Sequence, residues 1–127
     1  MNFEPMSLGT DGHYHMKYTR PFTIPERMQL LERSILVNSF AYYELDENIL
    51  ADHQYDANSK QLVQLYNEHP DMRKRSRYYQ YFHDFTGETG FHLIGRVRDK
   101  DPELYRFVWR DAVVALDNKR RYMKEEN

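Results

Sequence analysis

Apolar residues recur at Met28, Leu31, Ile35 and Tyr42, a second set at Leu30, Val37 and Ala41, and a third at Leu36 and Phe40. Steps of three, four and seven return a side chain to the same face of an α-helix, which repeats about every 3.6 residues. The pattern predicts a helix over 24–44 that is apolar on several sides, hence a central one touched by neighbours around most of its girth. Thr23-Ile24-Pro25-Glu26 supplies its start: threonine as N-cap, proline in the first turn, and a glutamate able to reach back to the cap backbone.

Asp46-Glu47-Asn48 interrupts the pattern. Asp52, a good N-cap, predicts a second helix over 52–69 through Tyr55, Leu62, Leu65 and Tyr66, ended by His69-Pro70. The short connection makes these two helices antiparallel neighbours. A third helix is expected over 72–85, opened by Asp71 and closed by the loop around Gly87. Phe91 to Val97 fits either a turn of helix or a strand. Asp101-Pro102-Glu103 starts a last helix over 102–122, with Leu104, Tyr105, Val108, Trp109, Ala112, Ala115 and Leu116 on one arc of about 140°. Trp109 is thereby expected in the core, and the charged tail Lys119 to Asn127 is expected to fray. Residues 1–22, with Pro5, Gly9, Gly12 and Pro21, read as an irregular arm with a short extended piece around His13 to Tyr18; 23–127 read as one domain. Short connections and no convincing period-2 strand predict an all-α bundle.

Composition narrows the chemistry. The absence of cysteine excludes disulfides, thiolate metal sites and a cysteine nucleophile. Eighteen Lys+Arg against twenty Asp+Glu give a net charge of −2, so attraction to nucleic acid or membrane would have to be local. No apolar run approaches the roughly 18–20 residues of a membrane span, and Met1 to Pro5 lack the order of a signal peptide, so a cytoplasmic protein is expected. His13 and His15 would share one face of a strand, yet no third ligand accompanies them, and no metal is expected.

The junction between the first two helices gathers aromatic and acidic residues. Tyr42 ends one helix, while Asp52, Tyr55 and Asp56 share a face in the first turn of the next. Two tyrosine rings from facing helix ends are able to hold a flat heteroaromatic ring. Carboxylates beside them would accept hydrogen bonds from a carboxamide or ribose hydroxyls and favour a pyridinium cation. The same residues also suit a plainer role, rings packed in a core and acids complementing a helix dipole.

Tyr42-Tyr43, then Leu45-Asp46-Glu47, then Asp52-x-x-Tyr55-Asp56, an amphipathic helix with Leu62-x-x-Leu65, and Glu68-His69-Pro70-Asp71 follow one another without a gap. This order resembles the N-terminal helical segment of the bacterial NAD-dependent DNA ligases, which grips the nicotinamide mononucleotide (NMN) half of NAD in DNA repair and replication. The resemblance implies a nicotinamide nucleotide as cofactor and Tyr42, Tyr43, Asp52, Tyr55 and Asp56 as its binding residues; Tyr43 stands where some members carry histidine. It ends after Pro70. The family's covalent step needs a Lys-x-Asp-Gly lysine, and here Asp11-Gly12 follow Gly9-Thr10. A self-sufficient ligase is therefore not expected. The expected role is a ligase-related NMN- or NAD-binding protein acting with, or modulating, a nucleotidyltransferase partner.

Two other readings stay open. The helical pair would equally serve a structural or protein-interaction module, including one that pairs with itself. Arg73, Lys74, Arg75 and Arg77 ahead of Tyr78, Tyr79 and Tyr81 mix cations with stacking rings, as single-strand nucleic-acid binders do, or form a solvated face over an aromatic core. Arg73 and Arg77, one helical turn apart, are the candidates for a phosphate or nucleic-acid contact. His83-Asp84 lacks any nucleophile placed by a motif, so no catalytic residue is expected.

Overall fold

The computed structural model describes Ser7–Leu8, Tyr14–His15 and residues 21–88 and 90–125. Its elements in chain order are β1 (Ser7–Leu8), β2 (Tyr14–His15), α1 (Ile24–Leu45), α2 (Asp52–Glu68), α3 (Pro70–Arg75), α4 (Tyr79–Phe82), α5 (Phe91–Lys100) and α6 (Pro102–Glu125). Apart from the two-residue antiparallel pairing of β1 with β2, with Ser7 opposite His15 and Leu8 opposite Tyr14, the described architecture is a small all-α bundle. His13, the other member of the suggested histidine pair, lies outside the described residues.

α1 is the central helix. Ser34 to Ala41 are buried without interruption, because α2, α5 and α6 all pack against it. Its start follows the sequence: Thr23 Oγ1 accepts from Glu26 N at 3.3 Å, and Thr23 N donates to Glu26 Oε1 at 3.0 Å. Its end is set by Asp46 in the left-handed region (φ 52°), whose N–H donates to Ala41 O. Asn48 to Leu50 then turn the chain, with Ile49 and Leu50 buried under the turn.

Four expectations are corrected. Ala51 rather than Asp52 is the N-cap of α2; Gln54 Oε1 accepts from Ala51 N at 3.0 Å, which leaves Asp52 in the first turn with its side chain exposed. The helix expected over 72–85 is two short helices parted at Ser76. That hydroxyl donates to the buried Glu32 Oε1 at 2.6 Å and accepts from Tyr78 N at 3.2 Å, a local competitor for the backbone that favours a break. Arg73 closes the resulting loop by donating to Phe82 O at 2.7 Å and His83 O at 3.0 Å. Trp109 is 51% exposed. The arc of α6 is wider than the strip its neighbours cover, so Leu104, Val108, Ala112, Ala115 and Leu116 are buried while Trp109 lies at the margin, its ring 6.0 Å from Phe40. Finally, the tail beginning at Lys119 continues α6 to Glu125, anchored by Lys119 Nζ donating to Asn48 O at 2.6 Å and Arg120 Nη2 to Glu47 Oε1 at 2.5 Å.

The ambiguous stretch at Phe91 is helix α5, since Leu93, Ile94 and Val97 at steps of one, three and four share one buried face. Asp101 caps α6 as expected, its Oδ1 accepting from Leu104 N at 3.0 Å.

Candidate functional site

A cleft of about 330 Å³ opens where α1 ends and α2 begins. It is lined by Tyr42, Tyr43, Asp52, Tyr55 and Asp56, so the five binding residues implied by the sequence meet on one surface. The α1–α2 turn explains this. A helix that ends in a left-handed residue and is followed at once by an antiparallel helix brings its last turn beside the next one's first turn.

The tyrosines are placed unequally. Tyr42 and Tyr43 are 53% and 39% exposed, their rings edge-on with centroids 4.8 Å apart, and Tyr43 meets Phe91 of α5 edge-on at 5.3 Å. Tyr55 is half-buried, its hydroxyl 3.3 Å from Ser39 Oγ, and burial pushes that phenol above its ordinary range. Tyr55 is thus the fixed wall of the cleft, and Tyr42 and Tyr43 its exposed rim.

Gly90 closes the inner end. A Cβ there would collide with Ser39 Oγ and lie 2.8 Å from Tyr55 Oη, so only glycine lets the loop before α5 approach this closely. The outer turn is braced from α6, which grips Glu47 and Asn48 through Arg120 and Lys119.

The charged side chains lining the cleft among the described residues are Asp52, Asp56 and Glu88, all acids. Such a lining favours a cation or a neutral hydrogen-bond donor and disfavours an anion. Arg73 and Arg77 do not line it. Arg73 sits over the Tyr66 ring at 4.2 Å while holding the Phe82 and His83 carbonyls, and Arg77 lies over Tyr78 at 5.2 Å. Asp84 is paired with Arg96, Oδ1 to Nη1 at 2.6 Å and Oδ2 to Nη2 at 2.8 Å, which holds its carboxyl at about 2. Among the described residues no group of three or more His, Asp or Glu is arranged to hold a metal ion, and no helix is long and apolar enough to cross a membrane.

Asn38, Ser39, Asn48, Glu88 and Gly90 also line the cleft and were missed in the sequence. A signal for two of them was present. Asn38 and Ser39 lie one helical turn before Tyr42 and Tyr43 in an otherwise apolar stretch, and polar residues on a buried helix face call for partners.

Residues 21–76 match the family of DNA ligase-like, N-terminal NAD+-binding domains. Over 51 residues the chain is 39% identical to a DNA ligase of Bacillus subtilis (strain 168), a stretch that makes up 40% of this chain and 8% of that protein. No solved structure matches the chain. Residues 21–76 are therefore similar to the N-terminal part of the DNA ligases, as the order of tyrosines and acids implied. The matched segment carries α1, α2 and α3, whereas Gly90, Lys119 and Arg120, which close and brace the cleft, lie beyond it.

Proposed function

We propose that the cleft binds the nicotinamide riboside portion of NMN or NAD through Tyr42, Tyr43, Asp52, Tyr55 and Asp56. The observation that carries this reading is their convergence on one cleft whose charged lining is acidic. A nicotinamide ring attached to ribose is a pyridinium cation, which suits aromatic walls and nearby carboxylates. Ribose hydroxyls would donate to Asp52 or Asp56. With no cation among the described lining residues, the phosphate of NMN faces solvent, and nicotinamide riboside should bind within about threefold of NMN. Lys-x-Asp-Gly is absent from the sequence, so any nucleotidyl transfer belongs to another catalytic domain, beside which this one acts.

Titration of isotope-labelled protein with NMN tests the reading. Amide shifts should appear at Tyr42, Tyr55 and their neighbours, and Tyr55→Ala or Asp56→Ala should weaken binding by roughly 1–3 kcal/mol. No shift at millimolar NMN would remove it.

A second reading is favoured by a separate observation. Trp109 and Val113, one turn apart on α6, are exposed apolar side chains that do not line the cleft, a surface suited to a protein partner or a second copy. Sedimentation of wild type against Trp109→Lys tests it: a monomer in both cases excludes self-association through this face.

A further inference from the structure

A second groove, of about 380 Å³, lies between the end of α1 and α5, and Tyr43 lines both it and the acidic cleft. Its charge is of the opposite sign. Arg96 and Arg98 line it against one acid, Glu44. Arg96 is already paired, since Asp84 holds it by two bonds of 2.6 and 2.8 Å. Arg98 is held more loosely. Its side chain is 55% exposed, and its contacts with Asp99 at 3.5 Å and Glu44 at 3.9 Å are longer than the roughly 2.7–2.9 Å of a tight charge-assisted hydrogen bond. Exposed ion pairs of that kind are weak, so this guanidinium is able to exchange them for a phosphate. Beside it, the exposed rings of Tyr43 and Phe91 meet at 77° with centroids 5.3 Å apart, a corner in which a flat base stacks on one ring and turns its edge to the other.

Gly95 lines the same groove from the interior of α5. Glycine inside a helix costs stability relative to alanine, and close packing is the usual reason for it. That reason is missing here: a Cβ at Gly95 would meet no packed neighbour, only the flexible end of Arg98 at an ordinary 3.9 Å. The room that this glycine leaves belongs to the groove rather than to the core.

We propose that the groove holds the adenylate half of NAD, with Arg98 on the diphosphate, adenine at the Tyr43–Phe91 corner and Gly95 keeping the floor clear. This rests on the nicotinamide reading and extends it from the cleft to the whole dinucleotide. NAD carries a cationic ring at one end and negative phosphates in its middle, and an acidic cleft joined at Tyr43 to a basic groove follows the same order. The phosphate of NMN ends in solvent, whereas NAD continues with a second phosphate and a base. Phe91, Gly95 and Arg98 lie outside the matched residues 21–76, so the family match assigns them no role.

The experiment is calorimetric titration of wild type, Arg98→Ala and Gly95→Leu with NMN and with NAD. Wild type should bind NAD about tenfold more tightly than NMN, and each variant should bring the two within about threefold while leaving NMN affinity within about twofold of wild type. Gly95→Leu should not lower the thermal midpoint, because a better helix former enters open space, so its loss of NAD preference reports the groove and not a damaged fold. Equal affinities of wild type for NMN and NAD would overturn the groove and leave nicotinamide binding intact. A preference for NAD that survives both variants overturns it as well. Absence of binding by either nucleotide would remove both readings. Binding of NAD but not NMN, displaced by AMP, would keep the groove and remove the cleft reading; without displacement by AMP, both fall.

Discussion

The two ends of the α1–α2 hairpin carry similar side chains and treat them in opposite ways. Near the start of α1, Glu32 is fully buried, and Tyr66 Oη and Ser76 Oγ each donate to it at 2.6 Å, with Arg73 stacked on the Tyr66 ring. Near its end, Tyr42, Asp52 and Asp56 are exposed around a cleft and Asn38 Oδ1 has no partner. Tyrosine and carboxylate are structural where they satisfy each other and available for a ligand where they do not. Residue type alone does not distinguish the two ends; pairing does.

The largest expected effect lies at the saturated end. Glu32→Ala would leave the Tyr66 and Ser76 hydroxyls unpaired in the interior and should cost on the order of 3 kcal/mol, read from urea unfolding. Tyr42→Ala, at the open end, should move that midpoint little, because its ring is half in water. If Glu32→Ala also proved harmless, the contrast between the ends would collapse.

Next comes pH. Burial pushes the Glu32 carboxyl up to about 7 from 4.5, opposed by its two hydrogen bonds and by Arg73. A raised folded-state pKa means that the native state holds this proton more tightly than the unfolded chain does. The stabilisation of the protonated native state is therefore complete below about 4.5 and is lost as pH rises through about 7. The loss should approach roughly 3 kcal/mol by pH 8, since each pKa unit is about 1.4 kcal/mol. Urea midpoints measured between pH 5 and 8 should fall along this course, and Glu32→Gln should flatten it; a wild-type curve already flat would remove Glu32 as its source.

Gly90→Ala should cost roughly 1–3 kcal/mol, because the added methyl must displace Ser39 and Tyr55, the fixed wall of the cleft. A ligand titration on the same variant sharpens the comparison: damage to the open end should weaken NMN binding in protein that is still folded. The smallest effect is expected from Arg120→Ala. That guanidinium pairs with Glu47 at the surface, where an ion pair contributes less than about 1 kcal/mol. Thermal melting should shift slightly, with a larger proportional change in NMN affinity as the Glu47–Asn48 turn loosens.

Local signals in the chain were sufficient for both ends of α1 and the start of α6. The Thr23–Glu26 cap, the break at Asp46 and the Asp101-Pro102 start act through neighbours a few residues away, and each lies where its pattern places it. The grouping of Tyr42, Asp52, Tyr55 and Asp56 was legible for the same reason, since a tight turn brings the last residues of one helix beside the first of the next. Tertiary structure decided the rest. Ser76 breaks a helical stretch because a distant carboxylate attracts its hydroxyl, Trp109 is exposed because α1 covers less of α6 than the apolar arc offers, and Arg73 turns inward to the Phe82 and His83 carbonyls. Gly90 joins the cleft, and Arg120 braces its outer turn, only when helices far apart in sequence pack together. Their roles depend on partners that no local pattern specifies, so backbone periodicity determined the scaffold while long-range pairing determined which of its polar groups remain open to a ligand.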